Sequence, residues 1–217
     1  MKRITLSALL MTLFLFMSCN NSGTSPKDGQ AAKSDGTVID LATITKNITD
    51  SVAFATSVKE VHTLVMSIDE LAKAIGKKIK NDGSLEAEST NADKNSQLVA
   101  GAFSVILEMS KLVKALKEKT GYGSVKKQVD DIETKILALV EKIKKDGDLC
   151  KDGVSENHAK ESIDKTNKPD GTKGAKELGE LNIAIDELLK AAEAAVESAI
   201  KELITPAKSG SAQPSNT

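Results

Sequence analysis

The chain has 217 residues, with 30 Lys and Arg against 31 Asp and Glu and a formal net charge of −1 at pH 7. This balance gives no electrostatic case for a nucleic-acid partner, which needs a basic face to displace counterions. Aromatic residues are 2% of the chain, with no Trp and one Tyr, so the stacking platforms that bases and sugars use are lacking. Apolar residues reach 40%, mostly Ala, Val, Ile and Leu, and the length suffices for one compact domain with a core.

Lys2 and Arg3 followed by the apolar run Ile4 to Met17 have the layout of a secretory signal peptide. The run is too short to span a bilayer, which takes ~20 apolar residues. It ends in Leu15-Phe16-Met17-Ser18-Cys19, and a small residue directly before a cysteine is the pattern of a bacterial lipoprotein signal. Cys19 is thereby expected to become the first residue of the processed chain and to carry lipid on its sulfur, anchoring the protein to a membrane. Phe16 and Met17 stand where tighter versions have Leu and a small residue. An ordinary signal peptide with an incidental cysteine is the alternative reading. If Cys19 is lipidated, Cys150 is the only other cysteine. No intrachain disulfide is then possible, and Cys150 is either a free thiol or an intermolecular bridge.

Asn20 to Thr37 is rich in Asn, Ser, Gly, Lys and Asp and reads as a flexible tether, spanning about 20 to 25 Å as a random coil. From Val38 to Lys80, Leu41, Ile44, Ile48, Val52, Ala55, Val58, Val61, Val65, Ile68, Ala72, Ile75 and Ile79 recur at three- and four-residue steps. This predicts one long amphipathic helix. The step Ile44–Ile48–Val52 shifts the stripe, so a bend or a change of packing partner is expected there. Asn81-Asp82-Gly83 is read as the helix stop in preference to a hairpin turn, and Ser84 to Asp93 as a loop.

A second helix is predicted from Lys94 to Lys119, burying Leu98, Ala102, Val105, Met109, Leu112, Val113 and Leu116, and broken by Gly121-Tyr122-Gly123. A third covers Ser124 to Lys145 with Val125, Val129, Ile132, Ile136, Leu139 and Ile143 inward. Ser155 is placed to cap a short fourth helix reaching Lys165. Asn167, Pro169, Gly171 and Gly174 break the pattern before a last helix, Ala175 to Ile204, with Leu178, Leu181, Ile185, Leu188, Ala192, Ala195 and Ala199 on one seam. Thr205-Pro206 stops it, and Ala207 to Thr217 is a polar, disordered tail.

The fold class expected is all-α: an elongated antiparallel bundle of four to five helices with a flexible N-terminal tether and a C-terminal tail. Its segments are a lipoprotein signal peptide (1–18), a lipidated tether (19–37), the bundle (38–204) and the tail (205–217). The first helix carries more apolar stripe than its neighbours are expected to cover, above all between Val58 and Ile79, which predicts a homodimer about a twofold axis. The competing reading is that shorter helices and connectors cover that stripe within one subunit.

Chemistry-bearing motifs are sparse. His62 and His158 lie in separate helices without ligand spacing. Asp146, Asp148 and Asp152 with Gly147 and Gly153 faintly suggest a calcium loop, but Cys150 occupies a ligand position and Lys151 the turn position. Gly121-Tyr122-Gly123 lacks the strand and third glycine of a nucleotide loop. No catalytic residue, metal or cofactor is assigned, and an enzyme is not expected.

The leader through Ser22, MKRITLSALLMTLFLFMSCNNS, resembles that of the spirochaete outer surface protein C and variable small protein family. So do SIDELAKAIGKKI (Ser67 to Ile79), LVAGAFSVI (Leu98 to Ile106), KDGVSENHAKESIDKTN (Lys151 to Asn167), GTKGAKELGEL (Gly171 to Leu181) and KELITPA (Lys201 to Ala207). The opening from Asp40 to Asn47 and the Ser-, Pro- and Asn-containing tail look more like the variable small proteins. The resemblance implies a helical bundle lipid-anchored through Cys19 to the outer membrane and facing the exterior, as a homodimer associating through the first helix. It implies antigenic variation, escape from host antibodies, and contact with host or vector surface molecules. No ligand-binding residue carries over from it. A periplasmic helical lipoprotein with a scaffolding role is the alternative.

Overall fold

The computed structural model describes residues 30–32, 38–119 and 125–204. The leader with Cys19, most of the tether, Gly121-Tyr122-Gly123, Thr205-Pro206 and the C-terminal tail lie outside the described residues. The elements are β1 (Gln30–Ala32), β2 (Val38–Asp40), α1 (Leu41–Ala72), β3 (Lys77–Ile79), β4 (Leu85–Ala87), α2 (Ser96–Glu118), α3 (Lys126–Lys145), α4 (Glu156–Ile163) and α5 (Ala175–Ile204). Strand β1, inside the segment read as a tether, pairs antiparallel with β2 in the register Gln30↔Asp40.

Each long helix has a local reason to form. Asp40 caps α1 by accepting the Thr43 N–H at 3.0 Å. Within α1, Phe54, Val58, Val61, Val65, Ile68, Ala72 and then Ile75 repeat at strict four- and three-residue steps, and all are buried. Helix α3 buries every position expected of it, and Lys142, Lys144 and Lys145 place positive charge at its C-terminal end. Ser155 caps α4 by accepting the His158 N–H at 3.2 Å.

The four long helices form a ring in which α1 packs on α2, α2 on α3, α3 on α5 and α5 on α1. Alternating direction is fixed by side chains at the seams. Lys117 near the end of α2 reaches Asp130 and Glu133 near the start of α3, and Lys142 in the last turn of α3 reaches Glu177 in the first turn of α5. His62 meets Asp186 midway along α1 and α5, while Lys165, just after α4, meets Asp69 near the end of α1. The start of α1 and the end of α5 therefore share one end of the bundle, the near end. Helix α4 packs on α1, α2 and α5 at the opposite, far end. One core cluster runs through α1–α5 from Phe54 to Ala192.

The all-α bundle expected from the sequence is what folds, with four departures. First, α1 ends at Ala72 instead of running to Lys80. Gly76 adopts φ +65°, which breaks the helical path, and Lys77–Ile79 pairs with Leu85–Ala87 as a hairpin. Asn81-Asp82-Gly83 is thus a hairpin loop. The Gly83 N–H donates to the Lys80 carbonyl at 2.9 Å with Gly83 at φ +84°, the geometry of a three-residue turn closed by a left-handed glycine. Ile79 leaves the core and is 75% exposed.

Second, the buried line of α2 runs through Val99 and Ile106 as well as Ala102, Met109, Val113 and Leu116, whereas Leu98, Val105 and Leu112 are half-buried. Neighbours α1, α3 and α4 surround α2 on more than one side, which rotates the centre of its buried face. Third, Ala195 is exposed. Lys119, at the end of α2, hydrogen-bonds Ser57 of α1 at 2.6 Å, so α2 and α3 stop near that level. The last turns of α5 lie beside the first turns of α1, where Ala199 is buried and Ala195 is not. The shifted stripe Ile44–Ile48–Val52 belongs to this two-helix stretch, where Ile48 and Val52 stay half-exposed.

Fourth, the stripe invoked for a dimer is covered within the chain: Val58, Val61, Val65, Ile68, Ala72 and Ile75 are all buried against α2, α4 and α5. That burial removes the uncovered-stripe argument for a dimer from Val58 to Ile75, while Ile79, the last residue of the stripe, stands exposed on the hairpin.

Candidate functional site

The far end of the bundle gathers several of the described connecting segments: the β3–β4 hairpin, the turn before α2, residues 146–155, helix α4 and residues 164–174. Asn95 ties three of these together. Its Oδ1 accepts the Gly76 N–H at 3.1 Å, its backbone N–H donates to the Val154 carbonyl at 3.0 Å, and its Nδ2 donates to the carbonyls of Ala92 and Val154 at 2.5 and 3.2 Å. The Glu156 N–H adds a bond to Asp93 Oδ1 at 3.2 Å. Asn95 is buried, so these bonds satisfy a side chain that water does not reach. Its position directly before α2 marks it only as a cap, because the partners at Gly76 and Val154 come from segments distant in the chain.

Gly171 and Gly174 let the segment before α5 close against α4. A Cβ at Gly171 would stand 2.6 Å from the Glu161 carbonyl oxygen, and one at Gly174, where φ is +142°, would stand 2.9 Å from that of Ser162. This close approach delivers Lys173 to Asp146 and Asp148. Lys173 Nζ donates to Asp146 Oδ2 at 3.0 Å and to Asp148 Oδ2 at 2.9 Å, and Lys151 Nζ reaches Asp148 Oδ1 at 2.9 Å. The carboxylates that faintly suggested a calcium loop thus converge, for Asp146 and Asp148, on a lysine ammonium. His158 Nε2 lies 3.7 Å from Asp148 Oδ2, and His62 Nε2 lies 3.0 Å from Asp186 Oδ1. Both histidines face an aspartate from another segment, which helical spacing alone did not reveal.

Hydrogen bonds from Lys151 and then Lys173 hold the Asp148 carboxyl well below the usual carboxylate range, burial opposing them. For Lys173, burial works against the charged form, but hydrogen bonds to Asp148 and Asp146 outweigh it and push the ammonium up. A depressed carboxyl contributes stability that is fully present above its unfolded value, about pH 4, and is lost as pH falls through the folded one. A raised ammonium contributes below about pH 10.4, and its share is lost as pH rises through the folded value. In thermal melts across pH, Asp148→Asn is expected to run below the parent at neutral pH and to approach it progressively as pH falls below about 4.

The outer surface of this end is polar apart from the hairpin. Ile79 and Leu85 are directly opposed across the strands and exposed, and the alternate face carries the Lys78–Glu86 pair at 3.5 Å. An open groove of about 520 Å³ at this end is lined by Lys94, Ser96, Gln97, Asp152 and Gly153. Cys150 is exposed, its Sγ 3.5 Å from the Ile143 and Lys144 carbonyl oxygens. Native protein is expected to react with a maleimide at Cys150 as fully as unfolded protein does; mass spectrometry of the intact chain checks this, and protection without reductant that reductant relieves would indicate a bridge. Chemically, this end offers charged and hydrogen-bonding side chains for contact with another molecule. No described helix is long and apolar enough to cross a membrane.

Comparison with known proteins agrees with this architecture. The Lipoprotein family Lipoprotein_6 matches residues 38–209. The chain is 47% identical over 209 residues to variable small protein 11 of Borrelia hermsii, covering 95% of this chain and 100% of that protein. It is 45% identical over 218 residues to outer surface protein C of Borreliella burgdorferi, covering 95% and 96%. Among solved structures, variable small protein 1 of Borrelia turicatae superposes with a TM-score of 0.68 at 50% identity, covering 75% of this chain and 98% of that one.

Proposed function

The chain belongs to the Lipoprotein family that includes the variable small proteins and outer surface protein C, and from that premise we propose that it is a variable major surface antigen. In this reading Cys19 is lipidated and holds the protein in the outer membrane, facing the exterior, with residues 20–37 as the tether. Its roles are immune evasion by antigenic variation, through change in what host antibodies meet, and contact with host or vector surface molecules. It acts as a homodimer; the support for that is the family resemblance of the first helix, since the stripe between Val58 and Ile75 is satisfied within one chain.

The observation that carries the reading is the polarity of the bundle. The start of α1 and the end of α5 share the near end, while the exposed hairpin, residues 146–155 and α4 lie at the other. A chain tethered through its N-terminal segment therefore presents the far end outward.

Protease treatment of intact cells expressing the full-length protein, beside a periplasmic control, tests this. Loss of the protein while the control survives is the expected result, and Cys19→Ala is expected to move the protein from the detergent phase to the aqueous phase. Protection until the outer membrane is permeabilised would instead assign it to the periplasm as a scaffold.

A further inference from the structure

Six aspartates in the chain are followed directly by glycine: Asp28, Asp35, Asp82, Asp146, Asp152 and Asp170. Such a pair is open to a spontaneous rearrangement, because glycine has no side chain to shield its amide nitrogen. The nitrogen gives up its proton and attacks the aspartate Cγ. A C–N bond forms, the Cγ–OH bond breaks, water leaves and a succinimide ring closes. Water then adds to either carbonyl of the ring, opening it to aspartate or to isoaspartate, in which the main chain runs through Cγ. The reaction needs no oxidant or enzyme. It does need a carboxyl group free to turn and a following amide free to approach it.

Asp28 and Asp35 lie outside the described residues. Of the other four, three are restrained. Asp82 Oδ1 accepts the Ser84 N–H at 2.9 Å and hydroxyl at 2.6 Å, and the Gly83 N–H is engaged by the Lys80 carbonyl at 2.9 Å. Asp146 accepts the Asp148 N–H at 2.9 Å on Oδ1 and holds Lys173 on both oxygens. Gly171, after Asp170, donates its N–H to the Lys168 carbonyl at 2.9 Å and is packed against Glu161. Asp152 and Gly153 carry neither restraint. Both are exposed, neither makes a hydrogen bond or ion pair among the described residues, and the pair lines the open groove beside Lys94.

We propose that Asp152–Gly153 is the isoaspartate-forming site of this bundle: among the four described Asp–Gly pairs it is the one whose carboxyl and amide are both unrestrained. The product adds one methylene to the main chain beside Val154, whose carbonyl takes two hydrogen bonds from Asn95. The modification thus acts on the clasp that holds the far end together.

The test is to age the folded, processed chain at neutral pH and physiological temperature, and to map isoaspartate by methyltransferase labelling and radical-driven peptide fragmentation. A parallel sample is aged in denaturant. The Asp152 peptide is expected to carry several-fold more isoaspartate than those of Asp82, Asp146 or Asp170 in the folded sample, with the four converging in denaturant. Asp152→Glu is expected to remove that signal and leave the other three unchanged. Equal or greater conversion at any of those three in the folded protein would overturn the proposal, as would the same ranking in denaturant, because the structure would then not be selecting the site.

Discussion

Phe54→Ala is expected to be the most damaging single truncation of a side chain in the core, costing about 3–5 kcal/mol. Phe54 is 1% exposed and sits one turn before Ser57, the level at which Lys119 closes the end of α2 onto α1. Below that level the ring of four helices narrows to α1 beside α5, so Phe54 fills the floor of the core. The α5 residue Ala192 is small, buried and in the same core cluster as Phe54, so it offers little side chain to fill the space a truncated ring would leave. A chain of this size shifts its melting temperature by about 2–4 °C per kcal/mol, so a fall of roughly 6–20 °C is expected by circular dichroism. A fall of a degree or two would mean that the near end collapses around the vacancy. Phe54→Leu is expected to recover more than half of the loss, since it refills most of the volume.

Phe54 also shows where the sequence was legible and where it was not. The four- and three-residue alternation that runs from Val58 to Ile75 extends back to Phe54, yet Val52 and Ala55 form an equally regular stripe in this stretch, and periodicity cannot choose between them. What decides is the partner: two faces matter where α1 meets both α2 and α5, and only one where α5 is the one helix that remains. Helices α3, α4 and α5 were legible to within a few residues because breakers and caps bracket them, Ser155 before α4 and Gly174 before α5. The hairpin after α1 was misread because Ile75 and Ile79 continue the helical spacing. Gly76 interrupts the path between them, and its positive φ is stabilised by Asn95, a residue from the next element. At the far end the acidic residues were visible as a cluster, but Lys173 lies far along the chain and reaches Asp146 and Asp148 only after Gly171 and Gly174 fold the connector inward.

The same connector delivers Lys165 to Asp69, and this pair governs how the start of α5 is held to α1. Nζ and Oδ2 are 2.5 Å apart, and the side chains are only 11% and 13% exposed. Most other ion pairs in the bundle lie on exposed helix faces, where each is worth little. Here removing one partner leaves the other charge nearly dry, so Asp69→Asn is expected to cost about 3 kcal/mol and Lys165→Met a similar amount. The double variant should lose less than the sum, because neither charge then lacks its partner; a cycle measured by urea unfolding is expected to give a coupling of about 2 kcal/mol. Additive losses would mean that the two charges are solvated independently and that the connector is held by packing at Gly171 and Gly174. Salt separates the cases further, since a screened surface pair weakens between low and high ionic strength while a nearly buried one changes little.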